Sequence, residues 1–202
     1  MVSKTKHGMK KINSICVYCG SSSGVDSSFE AAARKLGKSM AERDIRLVYG
    51  GGTHGLMGAV AGGVMENGGK VTGIIPEFLM CQERTPDAMD QIDDFIVTQD
   101  MHTRKQLMFE RADAFITLPG GIGTLEEVVE MMTWAQLGRH NKPIALANLS
   151  GFWNPFITLI DHMAEGGFLH SQNKIKPLLI DNIDAIVPAI IDAAAAKETA
   201  AN

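Results

Sequence analysis

The sequence predicts an α/β protein: a doubly wound parallel sheet with helices on both faces. Three observations predict it. Short apolar runs alternate with segments of helical spacing along most of the chain. Several of those runs are apolar at every position, as strands covered on both faces should be. Small or glycine-rich loops then follow the runs at 20–24, 50–58 and 120–124, where a parallel strand hands over to its helix.

The elements follow in order. Ile12 to Tyr18 is the first strand, leaving through Cys19-Gly20-Ser21-Ser22-Ser23-Gly24. Asp26 or Ser27 can cap the next helix, whose apolar stripe is Phe29, Ala32, Ala33, Leu36 and Met40. Arg46 to Tyr49 is the second strand and runs straight into Gly50-Gly51-Gly52-Thr53-His54-Gly55, which opens a helix to about Asn67 that Gly68-Gly69 stops. Val71 to Ile75 is the third strand, ended by Pro76. The polar stretch from Glu77 to Asp94 is expected to be a long loop covering or lining a site. Phe95 to Val97 is a short strand, Met101 to Arg111 a helix, and Ala114 to Leu118 a buried strand. Pro119-Gly120-Gly121-Ile122-Gly123-Thr124 turns the chain into a helix with its spacing visible from Glu127 to Trp134. Pro143 to Ala147, Phe152 to Glu165, Pro177 to Ile180 and Ile183 to Ala196 complete the alternation. One domain over residues 1–202 is expected, with 1–11 and 197–202 as disordered or frayed tails.

Composition excludes several function classes. At 202 residues, 45% hydrophobic and 21% charged, the chain reads as globular. A net charge of −4 argues against a broad nucleic-acid face. No stretch approaches the roughly 20 apolar residues of a membrane helix, and the basic residues Lys4, Lys6, Lys10 and Lys11 precede a run too short for a leader. A cytoplasmic location is expected. Cys16, Cys19 and Cys81 make a poor disulfide framework. Cys16-Val17-Tyr18-Cys19 matches C-x-x-C, but at a strand end and not at a helix start, so no redox role is expected. The scattered histidines offer no zinc spacing, and no metal or cofactor is expected.

The three loops lie at the carboxyl ends of their strands, where such sheets bind ligands. Helix N-termini carry unpaired N–H groups and a partial positive charge, and glycines let a phosphate reach the main chain. A phosphorylated small molecule is therefore expected, with Ser22, Gly51, Gly52, Gly120, Gly121, Gly123 and Thr124 among the ligand-facing candidates. Gly50 to Gly55 fits G-x-G-x-x-G, yet it follows the second strand, and Glu77 is a loosely placed ribose acid, which weakens a dinucleotide reading. Met101-His102-Thr103-Arg104-Lys105 opens the helix before the phosphate strand, so Arg104 could reach the pocket with a planar guanidinium. Glu126 and Glu127 can either complement the helix dipole or face a sugar. His54 is a lower-ranked polar contact, and Met57 a core or wall residue.

Pro119-Gly120-Gly121-Ile122-Gly123-Thr124-Leu125-Glu126-Glu127 is the PGGxGTxxE signature, and Met101-His102-Thr103-Arg104-Lys105 its MHxRK companion. With Gly50-Gly51-Gly52 and Gly55-Leu56-Met57-Gly58, the chain from Ile12 to about Ile191 resembles the Lonely Guy family of phosphoribohydrolases, members of which were once labelled lysine decarboxylases. The resemblance implies a Rossmann-like homodimer that cleaves the N-glycosidic bond of adenosine 5′-monophosphate, plain or N6-prenylated, to free base and ribose 5-phosphate. It places the catalytic arginine on Arg104 and the catalytic glutamate on Glu127. It implies nucleotide contacts from Met101, Lys105 and the run Gly121, Ile122, Gly123, Thr124, Leu125 and Glu126, and further ones from Glu83 and Thr133. Two other readings compete: a non-enzymatic nucleotide-binding protein, and lysine decarboxylation through a Schiff-base lysine, for which Lys70 and Lys142 sit at the wrong strand ends.

Overall fold

The computed structural model describes residues 11–83, 92–169 and 176–200, the last four of these as backbone. The elements are β1 (Ser14–Tyr18), α1 (Ser28–Ala41), β2 (Arg46–Tyr49), α2 (Gly55–Met65), β3 (Val71–Pro76), α3 (Met80–Glu83), β4 (Asp94–Thr98), α4 (Met101–Glu110), β5 (Ala114–Thr117), α5 (Ile122–Gln136), β6 (Ile144–Ala147), α6 (Asn154–Glu165), β7 (Leu178–Ile180) and α7 (Ile183–Ala200). The strands form one sheet in the order β4-β3-β2-β1-β5-β6-β7, and every pairing is parallel. The chain winds outward from β1 to β4, then returns to lay β5 on the other side of β1. The β1/β5 seam is therefore the topological switch point.

Strand alternation divides the core into two layers. Ile15 and Val17 of β1, Leu47 and Tyr49 of β2, and Ala114 and Ile116 of β5 pack against α1, α2 and α7. Their neighbours Cys16, Tyr18, Val48 and Phe115 pack with Met108 of α4, Val128 and Met131 of α5, and Trp153 ahead of α6. Because both faces are covered, β3, β5 and β6 are buried at every residue. The edge strands β4 and β7 are the open ones, with Val97 and Leu179 exposed. The α1–α2 contact is close because Gly37 and Gly63 carry no side chain. A Cβ on Gly37 would lie 2.3 Å from the Val60 carbonyl oxygen, and one on Gly63 2.2 Å from that of Arg34.

Several boundaries differ from the sequence reading. The first strand begins at Ser14, although Ile12 is buried beside it. Asp26, and not the side chain of Ser27, caps α1: its Oδ1 accepts the Ser28 N–H at 2.9 Å. The expected loop from Glu77 starts with a 3-10 turn (Glu77–Leu79) and the single helical turn α3, while 84–91 lie outside the described residues. The Phe152–Glu165 helix begins two residues late, at Asn154. Before it, a 3-10 turn (Leu149–Gly151) holds Ser150 at φ 51°, and Asn148 pins it by donating to Asn154 and Asp181 and accepting from the Trp153 N–H. The last helix continues past Ala196 to Ala200.

Candidate active site

The switch point is built by main-chain contacts between the loops after β1 and β5. Leu118 N–H donates to the Tyr18 carbonyl at 2.9 Å and Gly20 N–H to that of Pro119 at 3.1 Å. The α2 entry joins them, with Leu56 N–H donating to the Gly20 carbonyl at 3.1 Å. Such approaches exclude side chains: a Cβ on Gly120 would sit 2.2 Å from Thr124 Oγ1 and 2.9 Å from the Gly20 nitrogen. Gly121 and Gly123 differ, since nothing lies within 4 Å of a Cβ built on either. Their space is open to a ligand.

Intrahelical bonding in α5 starts at Leu125, whose N–H donates to the Gly121 carbonyl. The N–H groups of Ile122, Gly123 and Thr124 precede that ladder, and Gly121 caps the helix with no side chain. They open on a cavity of about 360 Å³, a size usual for small-molecule sites. Its wall includes Tyr18, Cys19, Ser21, Gly50, Met57, Leu79, Glu83, Met101, Arg104, Met108, Gly121 to Thr124, Glu126 and Glu127.

Arg104 lies on the first turn of α4, a helix capped by Asp100, whose carboxylate accepts the Thr103 N–H at 2.8 Å. It is 6% exposed, and its guanidinium is held by long contacts: 3.4 Å to the Gly50 carbonyl, 3.7 Å to Met101 Sδ and 3.9 Å to Glu127 Oε1. Its Nε is buried without a partner. A buried cation with donors to spare suits an incoming acceptor. Glu127 is 9% exposed. Burial pushes its carboxyl up to about 7; Arg104 opposes the shift, and Glu126 and Glu83 add to it. Glu83 anchors its segment through a carbonyl that accepts the Thr53 N–H at 2.7 Å, and its Oε2 is buried without a partner.

A protein-family model described as "Possible lysine decarboxylase" matches residues 57–190. The chain is 43% identical over 193 residues to a probable cytokinin riboside 5′-monophosphate phosphoribohydrolase of Oryza sativa subsp. japonica, covering 96% of this chain and 83% of that protein. It is 47% identical over 165 residues to a probable enzyme of the same name from Arabidopsis thaliana, covering 82% and 81%. The chain belongs to the Lonely Guy family. Among solved structures it is similar to the molybdenum cofactor carrier protein of Chlamydomonas reinhardtii, with a TM-score of 0.67, 20% identity and coverage of 91% and 98%. It is also similar to the molybdenum cofactor binding protein of Rippkaea orientalis, with a TM-score of 0.64, 18% identity and coverage of 91% and 98%. At these identities the likeness is one of fold.

Within this Lonely Guy chain, the sequence-derived candidates separate into two groups. Arg104, Glu127, Glu83, Met101, Gly121, Ile122, Gly123, Thr124 and Glu126 meet at the cavity. The others sit elsewhere. Lys105 is on the next position of α4, paired with Glu126 and Glu130 and off the cavity wall. Leu125 is half-buried and packs against the core layer that includes Val128 and Met131. Thr133 is exposed, its hydroxyl donates to the Val129 carbonyl, and it borders a separate apolar cavity with Met132, Phe156 and Met163. Gly51 and Gly52 shape the turn: Gly51 has φ 77° against Ile75 and Phe95, and a Cβ on Gly52 would strike Met57. Ser22 and Gly120 face a neighbouring cavity with Phe29, Leu56 and Phe152, while Ser21 takes the wall position expected of Ser22. His54 is exposed and off the wall, and so is Glu77.

Sequence reasoning missed Tyr18, Cys19, Leu79 and Met108 on the wall. Burial pushes the Cys16 and Cys19 thiols well up, so neither is poised as a thiolate. No lysine stands on the described wall. Lys142 is committed elsewhere, donating to the Phe109 carbonyl at 2.6 Å with its ammonium over the Phe109 ring.

Proposed function

We propose that the protein hydrolyses the N-glycosidic bond of adenosine 5′-monophosphates, N6-prenylated or plain, to a free purine base and ribose 5-phosphate. The observation that carries this is the buried Arg104–Glu127 pair, 3.9 Å apart on the wall of the cavity onto which the unpaired N–H groups of α5 open. The cytokinin riboside 5′-monophosphate specificity in the names of its relatives supports the substrate class.

The 5′-phosphate takes the N–H groups of Ile122, Gly123 and Thr124, over the space left by Gly121 and Gly123. Its anchoring holds the ribose against Glu127. As the bond between C1′ and the purine nitrogen lengthens, its electron pair leaves with the base and positive charge grows on the sugar. The Glu127 carboxylate stabilises that cation more than the neutral ground state, which is what lowers a barrier. Water adds its oxygen to C1′ and gives a proton to Glu127, whose raised pKa suits a proton acceptor near neutrality. Arg104 faces the departing base and eases its negative charge with the N–H groups it has free; the base then takes up a proton by way of solvent as Glu127 gives up the one it received, which restores the carboxylate.

The reading extends to a homodimer in the cytoplasm. Val129, Met132 and Thr133 of α5 and Phe156, Ile160 and Met163 of α6 line an apolar cavity, and Val129, Leu159 and Met163 are exposed around it. A second copy would cover that face. Three free thiols suit a reducing compartment.

Incubation with adenosine monophosphate or its N6-isopentenyl derivative should yield base and ribose 5-phosphate by chromatography. Glu127→Gln and Arg104→Ala should each slow release by at least about a hundredfold while melting cooperatively. Tight nucleotide binding with no base released would make the protein a carrier instead.

A further inference from the structure

Carboxylates crowd a site meant for an anion. Glu83, Glu126 and Glu127 line the cavity, and Glu130 follows one turn along α5. Arg104 is the lysine- or arginine-type cation on the described wall, and it is already in contact with Glu127 and the Gly50 carbonyl. A phosphate dianion arriving at the first turns of α5 would meet Glu126 there. Left bare, that carboxylate would repel it.

Lys105 stands behind Glu126. It is 8% exposed, its ammonium is in direct contact with Glu126 Oε1, and it lies 3.2 Å from Glu130 Oε2. Burial alone would lower its pKa; the two carboxylates outweigh burial and hold it above the ordinary lysine value. A full positive charge is therefore fixed next to the anion site yet off its wall. The pairs also run in parallel: consecutive residues of α4, Arg104 and Lys105, meet consecutive residues of α5, Glu127 and Glu126.

We propose that Lys105 is a positioning residue, the fixed counter-ion of Glu126 and not a ligand of the phosphate, and that this pairing lets an acidic helix turn accept a dianion. The inference rests on the phosphoribohydrolase reading for the ligand's identity, but it concerns phosphate binding alone. Direct coordination by Lys105 would require its ammonium to leave two carboxylates that hold it in a largely buried place.

The test is calorimetric titration of the full chain with ribose 5-phosphate. Lys105→Met should weaken binding by about tenfold or more, and Lys105→Met with Glu126→Gln should recover to within about threefold of wild type, since the uncompensated charge is then gone. Lys105→Arg, which keeps the charge, should bind within about threefold of wild type and covers the case in which the methionine variant fails to fold. In turnover of adenosine monophosphate, the Lys105→Met defect should fall on KM, with kcat changed by less than about threefold. A double variant no better than Lys105→Met would show that the lysine itself grips the phosphate. Unchanged affinity in a folded Lys105→Met would show that no counter-ion is needed. If wild type binds ribose 5-phosphate but releases no base from the monophosphate, the proposed function fails and this inference stands.

Discussion

Glu127 is close to half-protonated at neutral pH, because burial has raised its carboxyl to about 7. Only the ionised form can stabilise a sugar cation or take a proton from water. We expect kcat/KM to rise with pH through about 7 and then level off. Arg104 holds that carboxyl lower than burial alone would, so the residual activity of Arg104→Ala should show the same limb displaced to higher pH; a profile with no acid limb would remove Glu127 from the chemistry. Stability should follow the same group with the opposite benefit. Its folded pKa lies above its unfolded value of 4.5, so the folded state holds the extra proton between about 4.5 and 7, and stability falls as pH rises across that window. Thermal melts of Glu127→Gln should lack this loss and exceed wild type above pH 7 by on the order of 3 kcal/mol.

At the scale of elements, the turn from β5 into α5 separates glycines that permit the fold from glycines that make room for a ligand. Gly120 is wedged between Thr124 and the Gly20 nitrogen, whereas Gly121 and Gly123 face open space. Gly120→Ala should therefore cost about 1–3 kcal/mol of stability. Gly123→Ala should stay within about 0.5–1 kcal/mol of wild type, yet raise KM for the monophosphate about tenfold or more. Chemical denaturation alongside kinetics checks both; equal stability losses would undo the distinction. The turn itself was legible from sequence, because strand, glycines and helix are contiguous. Helical phase was less so. Lys105 is one residue from Arg104 and Thr133 six from Glu127, yet each points to a different surface from its neighbour, and only the packing of α4 and α5 on the sheet fixes which face is inward. The loop after β1 has no repeat from which to read a facing direction, so the placement of Ser21 and not Ser22 on the wall was not legible either.

For the whole molecule, the alternation of strands and helices made a doubly wound sheet readable from composition and spacing. The return of β5 to the flank of β1 was not readable, since it depends on long-range pairing such as Tyr18 with Thr117. Leu79 and Met108 reach the cavity from elements far apart in the chain, so no local pattern could have announced them. The apolar face of α5 and α6 is the other property that appears only after folding. Val129→Asp with Met163→Asp should convert the proposed dimer to a monomer in sedimentation velocity; an unchanged sedimentation coefficient would place the interface elsewhere.

The arrangement on which all of this depends is a nucleotide held by its phosphate at the start of α5 with its sugar beside residue 127. A crystal structure of Glu127→Gln with adenosine monophosphate tests it most directly. The phosphate is expected on the N–H groups of Ile122, Gly123 and Thr124, the anomeric carbon facing the residue 127 side chain, and the base near Arg104. A phosphate lodged in another loop, or a sugar turned away from residue 127, would contradict it.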